Sequence, residues 1–110
     1  MKNDTVFLHH ILNAICQIEE YTAGVNYGEF LEKRLIQDAV VRQLEIIGEA
    51  TKNLSSDTKE YHPQIPWKEI AGMRDKLIHV YFGVDLREVW NTAKRDLPDL
   101  KEVVNMILDN

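Results

Sequence analysis

A chain of 110 residues that is 45 % hydrophobic and 28 % charged has the composition of one ordinary globular domain, neither disordered nor fibrous. At this size it buries about two-thirds of its unfolded surface, and its single cysteine, Cys16, excludes an internal disulfide and a Cys-based zinc site. A net charge of −5 argues against general nucleic-acid binding, no apolar run approaches the ~20 residues of a membrane span, and the broken run over residues 1–10 is no signal-peptide core, so the cytoplasm is the expected location.

Residues 5–22 set Phe7, Leu8, Ile11, Leu12, Ile15 and Ile18 at helical spacing. Cys16 falls within this run and reads as a small buried apolar residue. Gly24 suits a left-handed cap, and a short link follows over 25–28. A second, longer helix is expected from Glu29 to Leu54, with Ile36, Val40, Leu44, Ile47 and Leu54 as its stripe. Its interior Gly48 costs about 1 kcal/mol relative to alanine, which points to a close helix–helix contact.

Residues 55–66 hold two prolines and read as a loop with at most one helical turn. Pro66 is placed to open a third helix that runs to Phe82, with Gly83 as its stop and Gly72 as a bend or close contact. Asp85 starts a fourth helix, with Glu88 three residues on as a capping-box variant. Val89, Trp90, Ala93 and Leu97 are its apolar positions. Pro98 opens a last helix carrying Leu100, Val103, Val104, Ile107 and Leu108. The expectation is an all-α bundle of four to five helices in one domain over residues 1–110, with the first two helices at its heart.

One segment is dense in groups that do chemistry: Met73-Arg74-Asp75-Lys76-Leu77-Ile78-His79-Val80-Tyr81. Arginine holds a phosphate through a planar fork of donors, and histidine moves protons near neutral pH. Together they suit metal-free RNA cleavage, in which a ribose 2′-hydroxyl attacks its own phosphate. Asp75 and His79 are four apart and share a helix face, so the carboxylate could orient the imidazole. Arg74 and His79, however, lie about 140° apart around an ideal axis. Bringing them together needs a distorted helix end, a long reach by arginine, or two subunits. On spacing alone, these residues are better explained as a structural ion pair on a solvated face.

The charge is uneven. Residues 67–95 hold six Lys/Arg against four Asp/Glu, whereas 1–66 hold six against ten and 96–110 hold one against four. On charge alone this asymmetry is what chance would give.

The string Arg74-x4-His79-x-Tyr81 resembles the R-x4-H-x-Y signature of the HepT toxin family of HEPN-domain ribonucleases. Residues 42–50, reading RQLEIIGEA, are similar to that family's second-helix signature, and Ile65-Pro66-Trp67, Met73-Arg74-Asp75, Asp85 and Val89-Trp90 fit it as well. The resemblance implies a HEPN-type helical bundle that dimerises through its motif-bearing side, so that two motif helices line one cleft. It implies metal-independent RNA cleavage with Arg74 and His79 as the catalytic pair; Asp75, one turn before His79, is the supporting candidate from its spacing, and no cofactor or metal site is expected. It also implies a partner, a minimal nucleotidyltransferase antitoxin that transfers AMP to Tyr81. Two departures stand out. The chain is acidic, so RNA affinity would rest on a local patch, and Asp75 adds a negative charge beside Arg74.

Two other readings suit the same residues: a nucleotide-binding or accessory subunit of a nucleotidyltransferase, and a dimeric interaction domain with a vestigial motif. Outside the motif the readings are plain. His9 and His10 point about 100° apart on a helix and read as surface or core-edge residues, and His62 reads as a solvated loop residue. Glu45 and Glu49, one turn apart, read as partners for Arg42 or for an arginine of a second subunit. Trp67 and Trp90 read as core or dimer-contact anchors.

Overall fold

The computed structural model describes residues 3–73, Asp75, Leu77 and residues 85–109, and every structural statement below concerns these. They form an all-helical bundle. Helix α1 spans Thr5–Thr22 and α3 spans Arg34–Lys52, and this pair makes the most extensive contact in the molecule. The two run antiparallel, because Asp4 at the start of α1 bonds Ser55 just past the end of α3. Leu8, Ile11, Ile15 and Ile18 from α1 meet Val40, Leu44 and Ile47 from α3 in the core. Gly48 is buried, in keeping with its expected place at a close contact. Gly24 takes the left-handed conformation, with φ +72°.

The second expected helix departs from a single rod. A short helix, α2 (Tyr27–Glu32), precedes α3, and the chain breaks at Lys33 with φ −109° and ψ 83°. Neither proline nor glycine marks the break. Its cause is polar. A reciprocal capping box between Asn26 and Glu29 starts α2 two residues early. At the other end the Gln37 amide donates to the Phe30 and Leu31 carbonyls, at 2.8 and 3.0 Å, replacing the helical bonds that the break removes. The break lets Phe30 turn fully inward, with none of its surface exposed.

The expected loop over 55–66 contains a six-residue helix, α4 (Ser56–Tyr61), capped by the Ser55 hydroxyl. Pro66 is the residue before α5 (Trp67–Ala71) rather than its first turn, and Gly72 ends α5 as a bend. Met73, Asp75 and Leu77 beyond it are helical, and the expected stop at Gly83 lies outside the described residues.

Asp85 caps α6 (Leu86–Asn91), as expected, by accepting from the Arg87 and Glu88 amides. The two helices expected on either side of Pro98 are instead one continuous run. A π turn over Thr92–Asp96, closed by the Leu97 amide on the Thr92 carbonyl, joins α6 to α7 (Leu97–Asp109). Pro98 has no N–H to give the Lys94 carbonyl, and the wide turn before it takes up that mismatch. Among the described residues no helix is long and apolar enough to cross a membrane.

Candidate active site

The approach to the motif is anchored firmly. Ile65, Trp67, Ile70, Met73 and Leu77 are all buried, and α5 packs on α3. The Trp67 indole N–H donates to the His62 carbonyl at 2.8 Å, tying the loop to the first residue of α5. At Gly72 an added Cβ would meet the Lys68 carbonyl oxygen at 3.3 Å, so a side chain there would press on the preceding turn. Met73 and Leu77, four residues apart, face the core, while Asp75 between them is exposed. Of the residues singled out in the sequence, Asp75 is therefore on the solvent side, and Arg74, His79 and Tyr81 lie outside the described residues.

A cavity of about 270 Å³ lies beside this segment, walled by Leu44, Ile70, Met73, Leu77 and Val89. Glu69, Asp85, Glu88 and Asp96 also line it. Removal from water, then the charges of Glu88 and Asp99, push the Asp96 carboxyl above the usual carboxylate range, with Arg95 opposing. Among the described residues, the four carboxylates around this apolar wall disfavour a phosphate.

A second, more polar cleft of about 370 Å³ lies between α1 and α3, lined in part by His10, Arg42, Glu45 and Glu49. Arg42 and both carboxylates of the 42–50 signature line this one cleft. No group of three His, Cys, Asp or Glu side chains among the described residues could hold a metal ion.

His9 and His10 are exposed, as expected. Two expectations need correction. Cys16 is half-buried, because its position faces the edge of the α1 stripe rather than its centre. His62 is half-buried rather than solvated, since Trp67 reaches back to its carbonyl.

Sequence reasoning missed one further cluster. The half-buried Tyr27 and Trp90 rings are 6.0 Å apart, and Trp90 also packs on Phe30 at 5.0 Å. The Arg87 guanidinium sits over Tyr27 at 4.6 Å, and the Lys94 ammonium over Trp90 at 4.9 Å. The spacing of Arg87, Trp90 and Lys94 along one helix face was the available signal.

Comparison with known proteins places the chain. Residues 11–107 match the HepT-like family model, described as ribonuclease HepT-like. A probable ribonuclease HepT of Thermococcus cleftensis is 55 % identical over 95 residues, which is 86 % of each chain. A candidate RNase of Caldanaerobacter subterraneus subsp. tengcongensis is 46 % identical over 108 residues, 98 % of this chain and 96 % of that protein. A Methanocaldococcus jannaschii protein named as both a gamma-glutamylcyclotransferase and a candidate RNase is 48 % identical over 108 residues, 98 % of this chain but 49 % of its own length. No solved structure matches. With its helical bundle, and with the family match running through the Arg74–Tyr81 segment, the chain belongs to the HepT-like ribonuclease family.

Proposed function

We propose that this chain is a toxin-type, metal-independent endoribonuclease, a single HEPN domain over residues 1–110 that works as a homodimer. The family match across residues 11–107, which contains the whole R-x4-H-x-Y string, carries this reading. In it, His79 takes the proton of a ribose 2′-hydroxyl, or gives one to the leaving 5′-oxygen. The 2′-oxygen bonds to phosphorus as the P–O5′ bond breaks, leaving a cyclic phosphate and a 5′-hydroxyl. Arg74 neutralises the charge that develops on the phosphoryl oxygens. Asp75, exposed between two buried anchors, orients the His79 imidazole or a bound nucleotide. A second subunit supplies the facing motif and eases the 140° separation expected of Arg74 and His79 on one straight helix.

Regulation follows from the same site. A minimal nucleotidyltransferase antitoxin transfers AMP from ATP to Tyr81, the phenol oxygen losing its proton and bonding to the α-phosphorus as pyrophosphate leaves, and the added phosphate competes with RNA for Arg74. The deciding experiment is RNA cleavage in EDTA by native protein and by His79→Ala, after mass spectrometry shows Tyr81 unmodified. Cleavage by the native chain and a loss of about a hundredfold or more in the variant support the reading. No cleavage by either, across several RNAs, moves the assignment to a nucleotide-binding or accessory subunit.

A further inference from the structure

The cations of the aromatic cluster are held in an unusual way for so acidic a chain. Among the described residues Lys101 pairs with Glu19, and neither Arg87 nor Lys94 pairs with a carboxylate. Both rest on aromatic rings instead, Arg87 on Tyr27 and Lys94 on Trp90. Lys94 is fixed further by donating to the Thr22 hydroxyl at 3.0 Å, and that hydroxyl donates to the Ile18 carbonyl. Glu19 lines the same shallow groove as Lys94, but Lys101 already holds its carboxylate at 2.9 and 3.2 Å. Ring contacts place a cation without cancelling its charge, whereas a carboxylate would do both. The result is two exposed, positioned positive charges on one helix face, two turns or about 10 Å apart.

We infer that this ledge of Arg87, Trp90 and Lys94, with Tyr27 beside it, is an accessory site for the backbone of single-stranded RNA. Arg87 and Lys94 each engage one phosphate, and the exposed edges of Tyr27 and Trp90 lie against the bases or riboses between them. Duplex is a poorer fit, since its bases are paired and stacked inside the helix and are not free to lie against these aromatic edges. The ledge lies on the helix that follows the motif, within the net-basic stretch over residues 67–95. It would hold substrate beyond the cleavage point and offset the repulsion from the remaining acidic surface. The inference rests on the reading of the chain as an RNA-cleaving enzyme, but its test does not need cleavage.

The test uses native protein and a fluorescein-labelled, single-stranded 2′-O-methyl oligouridylate, which lacks the attacking hydroxyl and stays intact. Binding is measured by anisotropy across a salt series. The Arg87→Gln/Lys94→Gln double variant should bind at least about tenfold more weakly, and its log–log salt slope should be shallower by about 1.4, the value for two single-strand phosphate contacts. Arg87→Lys/Lys94→Arg should retain the native slope. Thermal melting by circular dichroism confirms that each variant is folded, and the single Arg87→Gln variant, which leaves the Lys94–Thr22 contact intact, should show half the slope change. An unchanged affinity and slope in the double variant overturns the inference. So does a change in self-association with RNA binding intact, which would make this face a protein interface. Loss of cleavage with retained, ledge-dependent binding would instead count against the catalytic reading alone.

Discussion

Asp4 and Ser55 are 51 positions apart in the chain, yet the Asp4 carboxylate accepts from both the Ser55 amide at 3.1 Å and the Ser55 hydroxyl at 2.7 Å. The Thr58 hydroxyl adds a third bond at 2.6 Å. A side chain at the usual capping position of α1 is thus spent on the far end of α3 and the start of α4. Asp4→Ala should therefore destabilise the fold by about 1–3 kcal/mol, since the acceptor is charged and three donors lose it together. Urea unfolding gives the value, and a change below about 0.5 kcal/mol would mean that solvent replaces the carboxylate at no cost.

Thr51 makes the opposite case. It is fully buried near the end of α3, and its hydroxyl has no hydrogen-bond partner among the described residues. Valine has nearly the same shape without the polar group. Thr51→Val should raise stability by about 1–2 kcal/mol, seen as a higher denaturation midpoint with an unchanged slope. The control is Thr22→Val, which removes a hydroxyl that bonds both Ile18 and Lys94 and should lower stability instead.

Trp67→Phe should cost about 1 kcal/mol or less, because the ring stays buried while the His62 carbonyl loses one of its two donors and keeps the Ile65 amide. Trp67→Ala should cost about 3–5 kcal/mol, because it also empties the core under α5. Chemical denaturation of both variants separates the bond from the packing. Equal losses would show that the indole N–H contributes nothing.

Asp96 gives a pH dependence with a definite sign. Burial, Glu88 and Asp99 raise its folded pKa above the unfolded value of about 4. In the window from that value up to the folded one, the native state holds more protons, so stability falls as pH rises. Asp96→Asn should therefore be more stable than native protein at pH 7. The gain should be under about 1 kcal/mol, because the side chain is exposed, and it should vanish below about pH 4. Melting temperatures across that range check it, and a gain that persists at pH 3 would assign it to something other than charge.

Periodicity carried most of the fold. The limits of α1, its Gly24 stop and the Asp85 cap were all readable, because each follows from local spacing or one residue's backbone preference. The break at Lys33 was not, since it depends on Gln37 reaching back across the break. Nor was the continuity through Pro98, because a proline reads as a start unless a π turn precedes it. At the site, the exposure of Asp75 between two apolar positions follows from helical spacing. The roles of Arg74, His79 and Tyr81 rest on family resemblance, because spacing alone sets Arg74 and His79 apart. The pairing of Arg87 with Tyr27 escaped notice because it joins two helices distant in the chain.

The π turn at Thr92–Asp96 also sets a rule for the length of this stretch. Val89, Ala93 and Leu97 are buried at successive steps of four, a spacing that drifts about 40° per step in α geometry and that the wider turn absorbs. Removing one residue between 92 and 96 would close this turn to ordinary α geometry and leave all that follows in nearly its present phase, whereas removing one from the regular helix beyond would swing the rest through about 100°. Leu100 and Val104, now wholly inside, would keep their place against α1 in the first case and lose it in the second. A change in residue number is thus tolerable within this turn in a way that it is not on either side, so evolution can shorten the run here.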